Sequence, residues 1–488
     1  MTIKKLLLLL LVSVCSLTSC KPGSNENNTP DTPATIKLKS QSVAENEVLT
    51  AGEQTIQLVF DKMVKLQNGA KITLNDSMLI PQVEAMNVSF VVELAFETQY
   101  TLTVPAGAFV SVKDTAVKSE AVTIHFSTNE KPAQMPFQLG LGWNLGNQFD
   151  SHINGVAGET AWGNPACTQA TMDGVKAAGF TWVRIPVTWM GHIGEAPEYL
   201  IEQTWMNRVA EVVEYAHQAG LKAVINIHHD GADSKYWLNI IAARSNEEKA
   251  NEIQQELVAL WTQIATRFAD AEDWLMFEVM NEIQDGSWGT GKPNEYKVMN
   301  AWNQACVDAI RATGGNNATR WIGCPAYNTN LTAALNGWEK PNDPANRVAL
   351  AVHTYDPYNF TLECSQNTWG TDAEKNHISN YMKSINDNFL NKGIPVYIGE
   401  MGCCKRENAD DEQYRCNYLN YFAKAAKQYG ISFALWDNGS WGPSGKGGKE
   451  SNLFIHHATG QYPEPAAQAA VEALVSGYKY LNSGILKP

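Results

Sequence analysis

From residue 131 onward, short apolar runs that read as strands alternate with longer segments of helical period to the end of the chain. Eight such runs can be counted: 139–144, 182–187, 223–228, 275–280, 321–324, 348–353, 396–400 and 432–436. They recur about every 42 residues, the length needed for one strand, one helix and their loops in a parallel barrel. The segments between them have the matching period. Val209, Val212, Val213 and Ala216 follow helical spacing before Gly220, and Ile253, Leu257, Trp261, Ile264 and Phe268 mark a second helix. An open doubly wound sheet would share the alternation, but no Gly-rich phosphate loop follows the first run. The expected fold class is therefore α/β, a (β/α)8 barrel spanning 131–488.

The chain upstream of the barrel has a different character. Residues 1–20 place Lys4 and Lys5 before an apolar run from Leu6 to Val14, which reads as an export signal and is too short for a membrane-spanning helix. The run ends in Leu17-Thr18-Ser19-Cys20, which resembles a bacterial lipobox, so Cys20 is the candidate lipidation site. Residues 21–33, rich in Asn, Pro, Thr and Ser, read as a flexible tether. Residues 34–130 switch to short alternating runs separated by turn residues, and the expectation is a small all-β sandwich. Within it "VFDKMV" and "YTLTVPAGAF" resemble bacterial Ig-like domains, with a spacer role expected over glycan binding because no aromatic platform is evident.

A formal net charge of -14 excludes nucleic acid and an anionic membrane surface as partners, since either needs clustered Lys and Arg. A neutral polymer fits better. The expected destination is the cell surface, anchored to the outer membrane through the N-terminal lipid, and the expected state is a monomer. Seven cysteines remain beyond Cys15 and Cys20, an odd number, so at least one is free, and no disulfide pairing is predicted. Adjacent Cys403 and Cys404 read as small buried side chains beside a strand end.

In a closed barrel the site lies at the C-terminal ends of the strands. Those ends offer Asn144, Arg184, His228 with His229, Asn281 with Glu282, His353 with Tyr355, Glu400, and Trp436 with Asp437. One polar residue after an apolar run is an ordinary strand cap. Seven polar ends together are not, because charges buried at a rim need partners. Glu282, after the fourth run, and Glu400, after the seventh, fall on opposite sides of the mouth. They can face each other as glycoside hydrolysis requires, one donating a proton to the leaving oxygen while the other attacks or directs water. At a gap of roughly 5 Å no water fits between, the second carboxylate is the nucleophile, and the anomeric configuration is retained.

The motifs "GWNLGNQFD" (142–150), "ETAWGNP" (159–165), "VRIPVTW" (183–189), "INIHHDG" (225–231), "FEVMNEI" (277–283), "VHTYDPYNFT" (352–361), "IGEMG" (398–402) and "LWDNG" (435–439) together resemble glycoside hydrolase family 5, most closely its subfamily 4 of endoglucanases and xyloglucanases. The resemblance implies Glu282 as acid/base and Glu400 as nucleophile, acting on a plant-type β-glucan. Ile283 departs from the proline usual after the acid/base. With its support, Arg184 is expected to orient Glu400 and keep its pKa low, and Asn281 to bond the sugar 2-hydroxyl. His228, His353 and Tyr355 are expected to hold the carboxylates and the sugar, while His229 is either a second site group or structural. Asn144 completes the expected substrate-binding set.

Fifteen tryptophans are available to stack on β-linked glucose, with Trp436 the best candidate, while Trp162, Trp189, Trp237 and Trp369 are weaker ones that read first as packing or rim residues. No cofactor and no metal are expected, since nothing in the sequence completes a three-ligand set around His228 and His229. Two alternatives compete: an endo-β-mannanase on the same barrel, and a non-catalytic glycan-binding lipoprotein, which would need neither glutamate.

Overall fold

The structure, a computed structural model, describes residues 35–49, 51–128, 137–439 and 452–479, so the export segment, the tether and Cys20 lie outside the described residues. The chain divides into two compact units, one taking in residues up to Glu47, Thr55–Val91 and Tyr100–Phe126, the other Val48–Gln54, Val92–Gln99 and everything from Ser127.

Among the described residues before 129 all regular structure is β. Strands Leu38–Gln41, Gly52–Phe60, Asn87–Leu94 and Gln82–Glu84 form one sheet in that spatial order, and Glu47–Leu49, Val122–Thr128, Gln99–Val104, Thr73–Leu74 and Ser77–Met78 form another. Val88, Phe90, Val92 and Leu94 are buried while the residues between them are not, the alternation of a sheet with one covered face. Val122, Ile124 and Phe126 repeat it.

After residue 137 eight parallel strands close into a barrel: β1 (Leu141–Leu145), β2 (Trp182–Ile185), β3 (Lys222–Asn226), β4 (Leu275–Glu278), β5 (Ile322–Pro325), β6 (Val348–His353), β7 (Val396–Met401) and β8 (Ser432–Asp437). Closure is made by β8 pairing with β1, Asn144 opposite Trp436. A helix follows each strand: α1 (Gln169–Ala177), α2 (Gln203–Gln218), α3 (Glu247–Arg267), α4 (Pro293–Ala312), α5 (Leu331–Gly337), α6 (Asp372–Asn388), α7 (Glu412–Gln428) and α8 (Pro465–Lys479). The apolar stripe of α3, Ile253, Leu257, Leu260, Trp261 and Ile264, is wholly buried, and each aliphatic member contributes roughly 1.5–3 kcal/mol. Asn246 caps its start by accepting from Lys249 N at 3.1 Å.

Side chains of each strand alternate between two layers. Trp143, Val183, Ile225, Phe277, Ile398 and Leu435 pack outward in the cluster that includes the helices. Trp182, Val224, Met276, Ala351, Tyr397 and Ala434 fill the barrel interior. Two positions further along each inward row come Arg184, Asn226, Glu278, His353 and Trp436, and that continuation of period 2 delivers polar groups to the mouth. Strand β7 is the exception. The same rule would send Glu400 outward with Ile398, but the register slips there, pairing Ile398 with Val352 and Glu400 with His353. This bulge at Gly399 turns Glu400 back into the barrel. A Cβ at Gly399 would stand 2.9 Å from His353 Nε2, so glycine is required where the bulge crowds the site.

No disulfide pairing was assigned from the sequence, yet Cys364 and Cys404, 40 residues apart, are bonded, joining the loop after β6 to the segment after β7. Nothing short of the adjacency of those two strands reveals the pair. Cys403 is free and buried beyond the end of β7.

Candidate active site

Arg184 organises the mouth. From β2 its Nη1 donates to Glu400 Oε1 at 2.7 Å and to Asn144 Oδ1 at 3.1 Å, and its Nη2 donates to Asn281 Oδ1 at 2.7 Å. Asn144 is itself held by Gly399 O at 2.9 Å. The second oxygen of Glu400 accepts from the Tyr355 hydroxyl at 2.8 Å, so both oxygens are fixed in orientation. Glu282 follows β4 in a left-handed backbone conformation, φ 42°, which a non-glycine residue adopts only under constraint. Its N–H donates to Thr329 Oγ1 at 3.0 Å. His353 Nδ1 stands 2.8 Å from Glu282 Oε1 and 3.7 Å from Glu400 Oε1. Oxygens of the two glutamates and a nitrogen of His353 all lie within 4.8 Å of one another.

Burial shapes the protonation of this group. Desolvation pulls His353 down to about 4, so it is neutral near pH 7 and bonds Glu282 without adding charge. His228 is held well below its ordinary value for the same reason. Its Nδ1 lies 3.0 Å from Asn226 Nδ2, a group that can only donate, so the ring proton sits on Nε2. Glu400 departs from expectation. Its carboxyl is pushed above the ordinary value by burial, with Glu282 adding to the rise, and the opposing pull of His353, Arg184 and Tyr355 does not cancel it. Arg184 falls short because it is shared with a second carboxylate, Glu278, which the sequence reading passed over.

His229 Nδ1 lies 3.0 Å from Asp150 O, and its ring is 5.5 Å from Trp162. Trp436 lies parallel to His228, interplanar angle 5° with centroids 6.1 Å apart. Asn281 Oδ1 is taken by Arg184, while its Nδ2 is buried without a hydrogen-bond partner among the described residues. Asp437 faces away from the mouth, accepting from Trp143 Nε1, Phe454 N and Ile455 N at 2.8–3.0 Å, and is a structural anchor. Of the weaker aromatic candidates, Trp189 and Trp369 are core residues at 0% and 4% exposure and cannot present a face to sugar, whereas Trp162 is 44% exposed. Trp288, 60% exposed on the loop after Glu282, was missed because no strand end marks it.

Contrary to the expectation that nothing completes a three-ligand set there, Asp150 brings a third ligand-type group within 4.8 Å of His228 and His229. Its chemistry does not fit a cation. Asp150 already accepts from Gln148 N at 2.7 Å and Asn147 N at 3.1 Å, burial lifts it to about 6, and the His228 nitrogen not engaged with Asn226 carries the proton.

Paired carboxylates across the mouth of a parallel barrel, one held by arginine and tyrosine and the other by a neutral histidine, define a glycoside hydrolase site. The family model described as "Cellulase (glycosyl hydrolase family 5)" matches residues 146–442. Endoglucanase A of Paenibacillus barcinonensis is 37% identical over 340 residues, covering 64% of this chain and 84% of that protein. A xyloglucan-specific endo-beta-1,4-glucanase of Bacteroides ovatus is 35% identical, covering 70% of each. Among solved structures, a GH5-4 broad specificity endoglucanase from Bacteroides salanitronis superposes with a TM-score of 0.67 at 48% identity, covering 70% of this chain and 93% of that one. The chain belongs to glycosyl hydrolase family 5.

Proposed function

We propose that this protein is a retaining endo-β-1,4-glucanase that cuts internal bonds of a plant-type β-glucan, whether xyloglucan, mixed-linkage β-glucan or cellulose. The observation that carries the reading is the spacing of the two glutamates, one oxygen of each lying within 4.8 Å of one oxygen of the other. Retaining enzymes hold their carboxyl groups about 5–5.5 Å apart, and inverting enzymes need about 6.5–9.5 Å to admit a water.

In this reading Glu400 attacks the anomeric carbon while Glu282 donates its proton to the glycosidic oxygen, so the C–O bond to the leaving chain breaks as the bond to Glu400 forms. A water then enters and gives its proton to Glu282. Its oxygen displaces Glu400, restoring both groups. Asn281 Nδ2 is the donor for the 2-hydroxyl, and Trp436 is the stacking face for the reacting sugar. Following the first product by proton NMR is expected to show the β-anomer ahead of mutarotation. An α-anomer appearing first overturns the mechanism, and faster release of reducing ends from mannan than from any glucan overturns the substrate class.

The export signal, tether and Cys20 support a lipid-anchored enzyme at the outer cell surface, acting as a monomer with an Ig-like domain as spacer. A palmitate analogue is expected to label the intact protein in cells and not the Cys20→Ala variant. Equal labelling of both removes the anchor.

A further inference from the structure

Strand β4 carries a second, enclosed carboxylate that no step above uses. Glu278 is 1% exposed and faces inward beneath the mouth. Its Oε1 accepts from Arg184 Nη2 at 2.6 Å and Asn226 Nδ2 at 2.9 Å, and its Oε2 accepts from the Tyr397 hydroxyl at 2.6 Å. Arg184 Nε–H is divided between both oxygens, at 3.2 and 3.1 Å. With Asn144, Asn281 and Glu400 taking the other N–H groups, all five donors of a planar, rigid guanidinium are committed.

We infer that Glu278 is a positioning residue for the reaction: by occupying the far edge of Arg184 it aims the guanidinium at Glu400 while keeping that cation from neutralising the nucleophile. The inference rests on the reading of Glu400 as nucleophile. One arginine between two carboxylates leaves a net negative charge, placed where positive charge grows on the anomeric carbon in the transition state. Were Arg184 paired with Glu400 alone, the couple would be neutral and the attacking oxygen a weaker nucleophile.

The protonation behaviour of the pair agrees with this division. Burial pushes Glu278 up as it does Glu400, yet Arg184, with His353 and Tyr397, brings Glu278 below its ordinary value while Glu400 stays above. Around the two carboxylates stand Glu282 after β4, His353 and Tyr355 from β6 and its loop, and Tyr397 from β7. His228 after β3 approaches Glu278 through Asn226.

Glu278→Gln is the decisive variant, because it retains the shape. Its carbonyl oxygen can still accept from Arg184 and Asn226, and its amide can donate to the Tyr397 oxygen. The expected result is a fall in kcat of roughly 10²-fold with KM within about threefold. The acid limb of the kcat/KM profile, which in this reading follows the Glu400 carboxyl that burial raises, is expected to move to lower pH, because without the Glu278 charge Arg184 acts on Glu400 alone. Glu278→Asp, which keeps the charge, is expected to leave the limb in place. A purely structural role predicts lower Tm and rate with an unmoved limb, and that outcome overturns the proposal, as does an unchanged kcat. Should Glu278→Gln not fold, Tyr397→Phe replaces it. A carboxylate with one donor fewer draws harder on Arg184, the limb moves to higher pH, and a stationary limb again overturns the proposal. Activity surviving in Glu400→Ala would instead remove the nucleophile assignment.

Discussion

Glu400→Ala is expected to lower kcat/KM by roughly 10⁴-fold or more while leaving oligosaccharide binding within a few-fold of the parent. The size of the loss follows from the nucleophile role proposed for Glu400. Without an attacking oxygen on that face there is no glycosyl-enzyme, and the space left admits only an unactivated water. The variant should remain folded. Arg184 keeps three contacts with Glu278, at 2.6, 3.1 and 3.2 Å, so removing Glu400 does not strand a buried cation. Glu400 is itself unfavourable to the fold at neutral pH. A carboxyl whose folded pKa is raised is penalised when ionised, and the penalty disappears as pH falls through that folded value. Glu400→Gln should therefore melt no lower than the parent at pH 7, and its margin over the parent should shrink on acidification. Activity within tenfold of the parent would refute the nucleophile assignment, and a lower melting temperature for Glu400→Gln would refute the electrostatic account.

Glu282→Ala separates the two chemical steps. Proton donation matters most for a poor leaving group, so hydrolysis of the natural β-glucan is expected to fall by roughly 10³-fold, near the middle of the range for general acid–base catalysis. An aryl glycoside whose phenol leaves without a proton should be spared in its first step, giving a burst followed by slow deglycosylation. Azide, which needs no base to attack, should then restore turnover and yield a glycosyl azide of β configuration. Equal losses on both substrates, with no azide effect, would place the acid/base elsewhere. His353 sets the background for this experiment, because at about 4 it stays neutral across the working range and cannot substitute as the proton donor.

How much of the site was legible depends on how each residue reaches it. Asn144, Arg184, His353 and Trp436 stand at or near the polar ends of apolar runs, and a strand period of 2 was enough to place them on one rim. Glu278 escaped because it lies inside such a run, where a lone charge reads as an interruption. Its position four residues before Glu282, and the alternation that puts it on the inner row with Met276, were the available signals. Asp150 and Asn226 escaped for a similar reason, as short polar residues serving their neighbours. Trp189 and Trp369 are the packing residues they first read as, and composition could not separate them from Trp162 because it counts aromatic rings without saying which way they point.

Barrel class, the order of the strands and the placing of Glu282 and Glu400 at strand ends belong to the sequence, because they rest on periodicity and on residue types at strand ends, both of which are local. Tertiary structure alone decided three things: the bulge at Gly399 that turns Glu400 inward, the sharing of Arg184 between Glu278 and Glu400, and the bond between Cys364 and Cys404. The bulge and the disulfide arise where β6 meets β7, and the sharing of Arg184 needs β2, β4 and β7 around one mouth, so each joins segments far apart in the chain. The energy of a buried charge depends on what surrounds it in space, and no spacing along the chain encodes that.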